Sequence, residues 1–350
     1  MTLLLTCVFS GVAVAGAIVL PSYLPVPQTI VKSEPQTTSS DISPISPIIA
    51  LEPTIPSIAH LLFVGDIMLA RGVEYKIGKT SLDYPLGDIK DFISKADLSI
   101  ANFEGTIRDE PNQELDSFTF DTTPTIAAIV PAAGFDVVSL SNNHSDNHGA
   151  TIVQYTRQTL SDIGVTPFGD PYASKDFVAH KTINGINLAF IGFHAFGEDP
   201  ESILSTIESE KAAGNFVIVF PHWGNEYQFT PSSAQTDAAH LFIDHGADAI
   251  IGAHPHVIQT YENYKGVPIV YSLGNFLFDQ DWSIPTQQGL ALGFDIDASS
   301  IQLTFTPISV SHAHTSVMNE NDAAKILSQH NLPITLKISR PTTQNIAVQQ

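Results

Sequence analysis

Two histidines separated by one proline are the residues in this sequence best suited to chemistry. The segment Asp248–His256 reads DAIIGAHPH, in which Ala249–Ile251 is an apolar run that predicts a buried strand. His254 and His256 fall on the loop after that strand, where open α/β sheets bind ligands, and imidazole is a common neutral metal ligand. The pattern indicates a metal site, although His-Pro-His alone is equally consistent with an ordinary loop in a chain that has 13 histidines.

Potential ligands also follow four other apolar runs, each as the run ends. They are Asp66 near the carboxyl end of a strand predicted over 58–69, Glu104 after 98–101, Asn143 after 135–140 and His222 after 216–220. Independent polar loops would rarely place a ligand at every strand end, so we expect these side chains to meet at one rim of the sheets. Each has a simpler alternative when taken singly, since Asp66, for example, could cap the following helix.

Carboxylate, amide and imidazole groups together predict a two-metal centre, with ions about 3.5–4 Å apart, a bridging carboxylate and a readily ionised bridging water. The loop around Asn143 reads SNNHSDNHG, and so many polar groups are costly to bury unless they surround an ion. A helix predicted over 150–163 points its positive end at this loop, which also suits an anion such as phosphate. For Asp146–His148, a polar turn that caps this helix is an adequate explanation.

Charge and cysteine content exclude several classes of function. The 350-residue chain has 15 Lys and Arg against 36 Asp and Glu, a formal net charge of −21 at pH 7. Such a surface repels phosphate backbones, so we expect no nucleic-acid partner. Cys7 is the only cysteine in the sequence, so any metal must be held by imidazole, carboxylate and amide groups.

The amino-terminal segment predicts membrane targeting. Leu3–Leu20 carries no charged residue and is just long enough to span a bilayer before Pro21. We expect residues 1–20 to be a signal-anchor or a signal peptide, and residues 21–57, rich in Pro, Ser and Thr, to be an extended linker. The protein would then be anchored on the extracytoplasmic face, or secreted if the segment is cleaved.

From Ile58 onward, strands and helices alternate, which predicts an α/β domain over 58–312. Segments 290–296 and 301–309 predict an antiparallel pair that turns at 297–300, and hence a second sheet packed on the first. Residues 313–350 predict a helix near 321–330, a closing strand and a tail. For the polar stretch 110–123, with Phe118 and Phe120, we favour a small satellite core over a lid.

These blocks, in this order, resemble the CapA family of capsule and poly-γ-glutamate biosynthesis proteins, within the calcineurin-like metallophosphoesterase superfamily. The matching blocks are Phe63-Val64-Gly65-Asp66, Ala101-Asn102-Phe103-Glu104, Ser141-Asn142-Asn143-His144, His222-Trp223-Gly224, Gly252-Ala253-His254-Pro255-His256 and Tyr271-Ser272-Leu273-Gly274-Asn275-Phe276. The resemblance implies a four-layer αββα sandwich, with helices outside two packed sheets, which agrees with the predicted strands.

The resemblance also implies roles for the site residues. The implied metal ligands are Asp66 and His256 for one ion, Asn143, His222 and His254 for the other, and Glu104 between them. His144 would be the general acid that protonates the leaving group. This chain has Met68 where the superfamily has a histidine ligand, and Glu104 replaces a shorter aspartate. One or two divalent ions are expected, and Mn²⁺, Fe and Zn²⁺ all suit N and O ligands.

The leading hypothesis is a metal-dependent hydrolase of capsule or poly-γ-glutamate biosynthesis that acts on an anionic polymer or a phosphoester. One alternative is a non-catalytic polymer-binding or scaffold subunit of a membrane capsule-assembly complex. Another is a γ-glutamyl amide hydrolase, which differs in the bond cleaved but not in the fold.

Overall fold

The computed structural model describes residues 58–111 and 118–340 of the chain. The predicted targeting segment 1–20 and linker 21–57 lie outside the described residues. Within the described ranges, no helix combines the length and apolar character that crossing a membrane requires.

Strands and helices alternate along the described chain. The strands are β1 (Ala59–Ile67), β2 (Leu98–Phe103), β3 (Thr106–Ile107), β4 (Asp121–Thr122), β5 (Val137–Ser139), β6 (Thr166–Phe168), β7 (Ala179–Ile183), β8 (Ile186–His194), β9 (Phe216–His222), β10 (Ala249–Ile251), β11 (Tyr261–Tyr264), β12 (Val267–Val270), β13 (Asn275–Leu277), β14 (Gln288–Ile296), β15 (Ser300–Ser311), β16 (His314–Val317) and β17 (Thr335–Ser339). The helices are α1 (Arg71–Lys79), α2 (Lys90–Ile93), α3 (Pro124–Ala127), α4 (Ile129–Ala133), α5 (Ala150–Asp162), α6 (Leu204–Ala212), α7 (Ser233–Asp244) and α8 (Glu320–Gln329).

Most of these strands form two large sheets. The larger has nine described strands in the order β16-β15-β14-β1-β2-β5-β6, with β13 paired to β1 and β17 paired to β15. The smaller has six described strands in the order β11-β12-β10-β9-β8-β7. In both sheets the central strands are parallel, β1-β2-β5-β6 in the larger and β8-β9-β10-β12 in the smaller.

Alternation of side chains along β1 shows how the layers are built. Leu61 and Phe63 point into the core between the two sheets, where Phe63 stacks on Phe220 of β9. Leu62 and Val64 point the other way, into a core shared with helices α1 to α4. Because successive strand residues face opposite sides, a strand that is apolar at every position is buried on both faces.

The smaller sheet is covered in the same way on its outer side. Its outer core contains Ile207 of α6 together with Ala239 and Phe242 of α7. Helices therefore cover the outer faces of two sheets packed face to face, and the predicted four-layer αββα arrangement is confirmed.

The last strands belong to the larger sheet, so the prediction that 290–296 and 301–309 form a second sheet packed on the first is wrong. β14 instead pairs antiparallel with β1 and extends the sheet that β1 begins. β14 and β15 pair antiparallel from Gln288↔Ser309 to Ile296↔Ile301, as the alternation of residues predicted. β17 then pairs antiparallel with the first residues of β15, and Ile338 is buried in the core between the sheets.

Candidate metal centre

Three polar residues lie in one row across the larger sheet. Asp66 of β1 is the direct neighbour of Asn102 on β2 and of Asn275 on β13. Gly65 makes the approach of β13 possible, because a Cβ at this position would lie 1.7 Å from the carbonyl oxygen of Gly274. That oxygen accepts a hydrogen bond from the Asp66 amide at 3.2 Å.

The smaller sheet contributes a second set of polar residues, which lies beside Asp66 of the larger sheet. His222 at the end of β9 is the direct neighbour of His194 on β8 and forms an isolated bridge with Ala253. Ala253 precedes His254, whose backbone amide donates to Asp66 Oδ2 at 3.2 Å. This bond joins the carboxyl ends of the parallel strands of the two sheets.

One group of potential ligands combines Asp66, Glu104 and His256, whose ligand atoms all lie within 4.8 Å of one another. His256 Nδ1 is 3.4 Å from Asp66 Oδ2, and His256 Nε2 is 3.8 Å from Glu104 Oε1. Both carboxylates are fully buried, and Glu104 Oε1 has no hydrogen-bond partner among the described residues. Burial, and after it the charge of Asp66, raises the pKa of Glu104 well above its usual value. Burial lowers the pKa of His256, but Glu104 and Asp66 outweigh it and raise that pKa to about 9.

A second group combines His222, Asn143 and His254. His222 Nε2 lies 2.8 Å from Asn143 Oδ1 and 3.0 Å from His254 Nδ1. Burial lowers the pKa of His254 to about 2 and that of His222 well below its usual value, so both rings are neutral at pH 7. Two ligand atoms about 2.1 Å from one ion and at right angles lie about 3 Å apart, so this spacing suits coordination of a shared ion.

Asn102 is a site residue that the sequence analysis did not select. Its Nδ2 lies 2.8 Å from Asp66 Oδ1, 3.3 Å from Glu104 Oε2 and 3.3 Å from His222 Nδ1. An amide group has two hydrogens and cannot satisfy three acceptors. Its position as the first polar residue after the apolar run of β2 is the signal that could have identified it.

Two further residues join the site only through the tertiary structure. Asn275 Oδ1 lies 2.9 Å from His256 Nδ1 and therefore helps to orient that imidazole. Glu226, in the loop after β9, forms another potential ligand group with His254 and His256 within 4.8 Å. Glu226 is exposed, so its carboxylate can be reached from solvent.

His144 lies at the edge of the site. Its ring stacks on Phe120 with centroids 3.8 Å apart, and its Nε2 is 3.9 Å from Glu104 Oε1. Burial lowers the pKa of His144 to about 4, so this imidazole is neutral at pH 7 in the absence of a ligand. Phe120 belongs to the core shared with helices α1 to α4 and also forms a wall of the site, whereas Phe118 is 87% exposed, so the predicted satellite core of these two residues is wrong.

The backbone of the His-Pro-His loop has an unusual conformation. His254 has a φ of 99° and His256 a φ of 57°, a region that side chains other than glycine rarely adopt. Such conformations cost about 1–3 kcal/mol each and persist where the surroundings enforce them. Here the bond from the His254 amide to Asp66 and the contact of His256 with Asn275 supply that constraint.

The structure thus brings together the residues predicted from sequence: Asp66, Glu104, Asn143, His144, His222, His254 and His256. The donor set consists of buried carboxylates, an amide oxygen and neutral imidazoles, with one carboxylate oxygen left unbonded. These are ligands that Mn²⁺, Fe and Zn²⁺ accept, so the residues fit a divalent metal.

Known proteins resemble this chain over most of its length. The family model described as bacterial capsule synthesis protein PGA_cap matches residues 60–280, which include every site residue above. Capsule biosynthesis protein CapA of Bacillus anthracis is 28% identical over 301 residues, 77% of this chain and 72% of that protein. PGA biosynthesis protein CapA of Bacillus subtilis (strain 168) is 28% identical over 286 residues, 75% of this chain and 74% of that protein. A crystal structure of TT1561 of Thermus thermophilus covers 67% of this chain and 94% of its own, with 10% identity and a TM-score of 0.40, too low to bear on function.

Proposed function

Because the chain belongs to the PGA_cap family of bacterial capsule synthesis proteins, with CapA proteins among its relatives, we propose that it is a metal-dependent hydrolase of capsule or poly-γ-glutamate biosynthesis. Its substrate would be an anionic polymer or a phosphoester. The observation that carries the proposal is the convergence of ligand side chains from both sheets around the unbonded Oε1 of Glu104.

The residues of the site would hold two ions. Asp66, Glu104 and His256 would hold one ion, and Asn143, His222 and His254 the other. When bound, divalent ions supply Lewis acidity and lower the pKa of water.

His144 is the residue placed to handle a proton, because it is only partly exposed and lies beside Glu104. A negatively charged substrate beside its ring would raise the pKa of His144 from about 4, so that the ring can carry a proton for the leaving group.

A second candidate is a non-catalytic subunit that binds polymer. Exposed aromatic side chains suit such binding. Phe196 is 53% exposed and packs on His254, while Trp282 is 63% exposed and packs on Tyr227 beside His256. In either case we propose attachment to the extracytoplasmic face through residues 1–20, and contact with other membrane proteins of capsule assembly.

Metal analysis combined with a substrate panel tests the proposal. The purified chain, loaded with Mn²⁺ or Zn²⁺, would be assayed on an aryl phosphate, a bis-aryl phosphate and a γ-glutamyl anilide. We expect bound metal and hydrolysis of at least one substrate, with His256→Ala losing both. His240→Ala is the matched control, because His240 is a partly exposed histidine on α7 that pairs with Glu262.

The outcomes separate the candidates. Bound metal without hydrolysis of any substrate would favour the binding subunit, and cleavage of the anilide alone would identify the γ-glutamyl amide hydrolase. A chain that binds no metal would contradict both hydrolase proposals.

A further inference from the structure

Arg71 is a charged residue beside the candidate metal centre to which the sequence analysis gave no role. It is the first residue of α1 and follows β1, the strand that carries Asp66. Its φ of 51° lies in the left-handed region, which non-glycine residues rarely adopt. The backbone therefore turns sharply at this position.

The guanidinium group of Arg71 stacks on the aromatic wall of the site. Its central carbon lies 4.4 Å from the ring centroid of Phe120 and 5.7 Å from that of Phe278. Phe120 stacks on His144 at 3.8 Å, and Phe278 lies 4.8 Å from the ring of His256. Each of these two rings therefore contacts both Arg71 and an imidazole of the centre.

Asp279 fixes this arrangement. Its Oδ1 accepts from Arg71 Nη2 at 2.5 Å, and its Oδ2 accepts from the backbone amide of Gly72 at 2.9 Å. The Arg71 side chain is 14% exposed. Because Asp279 already fixes the Arg71 guanidinium, the side chain loses little conformational freedom when it binds a ligand.

Arg71 places a positive charge beside a centre that is otherwise rich in carboxylates. The centre contains Asp66, Glu104 and Glu226, and the whole chain carries a net charge of −21, so an anionic ligand needs local positive charge to approach.

We propose that Arg71 binds an oxyanion of the substrate, a phosphoryl or carboxylate group, and orients it at the candidate metal centre. The inference rests on the proposed function and adds a substrate-binding residue to it. A planar guanidinium matches two oxygens of such a group with two parallel N–H donors, which a lysine ammonium cannot reproduce.

Anion binding to the full chain loaded with Mn²⁺ tests the proposal. Titration calorimetry would measure the affinity of inorganic phosphate and, in a second arm, of glutarate. For Arg71→Gln we expect binding of at least one anion to weaken about 10- to 100-fold, because a charge-assisted hydrogen-bonding pair is removed. Arg71→Lys keeps a cation beside Asp279 and should give an intermediate affinity. Metal content should not change in either variant.

Arg157→Gln is the matched control. Arg157 is 13% exposed, pairs with Asp170 at 3.2 Å and stacks on Phe177 at 3.8 Å, so its environment resembles that of Arg71. Its hydrogen bonds go to Gly169 and Asp170, outside the candidate centre, and its substitution should leave anion affinity unchanged.

Three outcomes would contradict the assignment of Arg71 as an anion-binding residue. Unchanged affinity in Arg71→Gln, an equal loss in Arg157→Gln, or no binding of either anion by the wild-type chain would overturn it. Should Arg71→Gln fail to fold, Arg71→Lys decides instead, with wild-type affinity for both anions counting against the proposal. A wild-type chain that binds no metal, yet loses anion affinity on substitution of Arg71, would contradict the hydrolase proposal and retain the Arg71 assignment.

Discussion

At the scale of single residues, burial and neighbouring charge shift the pKa values of the site histidines in opposite directions. Burial lowers the pKa of His254 to about 2, so its ring is already in the neutral form that binds metals. Burial also acts on His256, but Glu104 and Asp66 raise its pKa to about 9, so this ring is protonated at pH 7 without an ion. Binding of a metal must therefore displace a proton from His256.

His194 should make folding stability depend on pH. Burial lowers its pKa to about 4, whereas an unfolded histidine has a pKa near 6.5. Above pH 6.5 neither state binds the proton and stability is unaffected. As the pH falls from 6.5 to 4 the unfolded state alone takes up the proton, so stability is lost, by roughly 2–3 kcal/mol at most.

Urea unfolding of the metal-free chain between pH 7 and pH 4 measures this effect. His194→Gln should lose less stability than the wild type over this range. His180→Gln, at an exposed histidine on β7, is the control and should follow the wild-type curve. Parallel curves for His194→Gln and the wild type would contradict the prediction.

Asn102 should control metal affinity. Asn102→Ala removes the amide that contacts Asp66, Glu104 and His222. Loss of such an orienting contact typically weakens metal binding about 10- to 100-fold. Calorimetric titration with Mn²⁺ would measure the change, and Asn215→Ala, which removes an amide bonded to Glu210, should have no effect. Equal affinities in the two variants would count against this role.

At the scale of elements, the site depends on backbones that approach closely where strands end. Gly65 admits Gly274 of the segment before β13, and Gly252 plays a similar part after β10. A Cβ at Gly252 would lie 2.1 Å from the carbonyl oxygen of Tyr271 and 2.5 Å from Trp223 Nε1. Those two groups are themselves hydrogen-bonded at 2.9 Å, so the contact joins the ends of β9, β10 and β12.

Gly252→Ala should therefore destabilise the protein by about 2–4 kcal/mol, since it overpacks the contact and breaks the Trp223 hydrogen bond. Gly78→Ala is the control, because no atom of the described ranges lies within 4 Å of a Cβ at this position in α1, and alanine favours helix. Thermal unfolding would measure both variants. A Gly252→Ala melting temperature equal to that of the wild type would refute the explanation.

At the scale of the whole molecule, two sheets place the carboxyl ends of their parallel strands at a common rim. Asp66, Glu104 and Asn143 come from the larger sheet, and His222 and His254 from the smaller. The apolar core between the sheets fixes the distance between these two sets of ligands. Stability of that core is therefore a condition for the geometry of the centre.

Removal of β17 tests this dependence. A chain that ends at Pro333 loses the pairing of Ile338 with Ile301 and the burial of Ile338 between the sheets. Burial of one such side chain contributes about 1.5–3 kcal/mol, so the urea midpoint should fall clearly. A chain that ends at Arg340 keeps every described contact and should unfold like the wild type. Equal midpoints for the two truncated chains would contradict this prediction.

The sequence alone was sufficient for features that depend on local pattern. The antiparallel pair at 290–296 and 301–309 and the helix over 150–163 match β14, β15 and α5 to within a few residues. Alternation and helical periodicity arise from neighbours along the chain, so they can be seen in the sequence itself. For the same reason, polar residues at the strand ends stood out, and the structure brings them together.

Only the tertiary structure could identify the residues whose partners are distant in sequence. Asn275 joins the site because register places it beside Asp66, and Glu226 joins it through the loop after β9. Arg71 gains its position from Phe120, Phe278 and Asp279, which lie far from it along the chain. Strand register and sheet packing are set by the whole core, so residue type and spacing alone could not reveal these contacts.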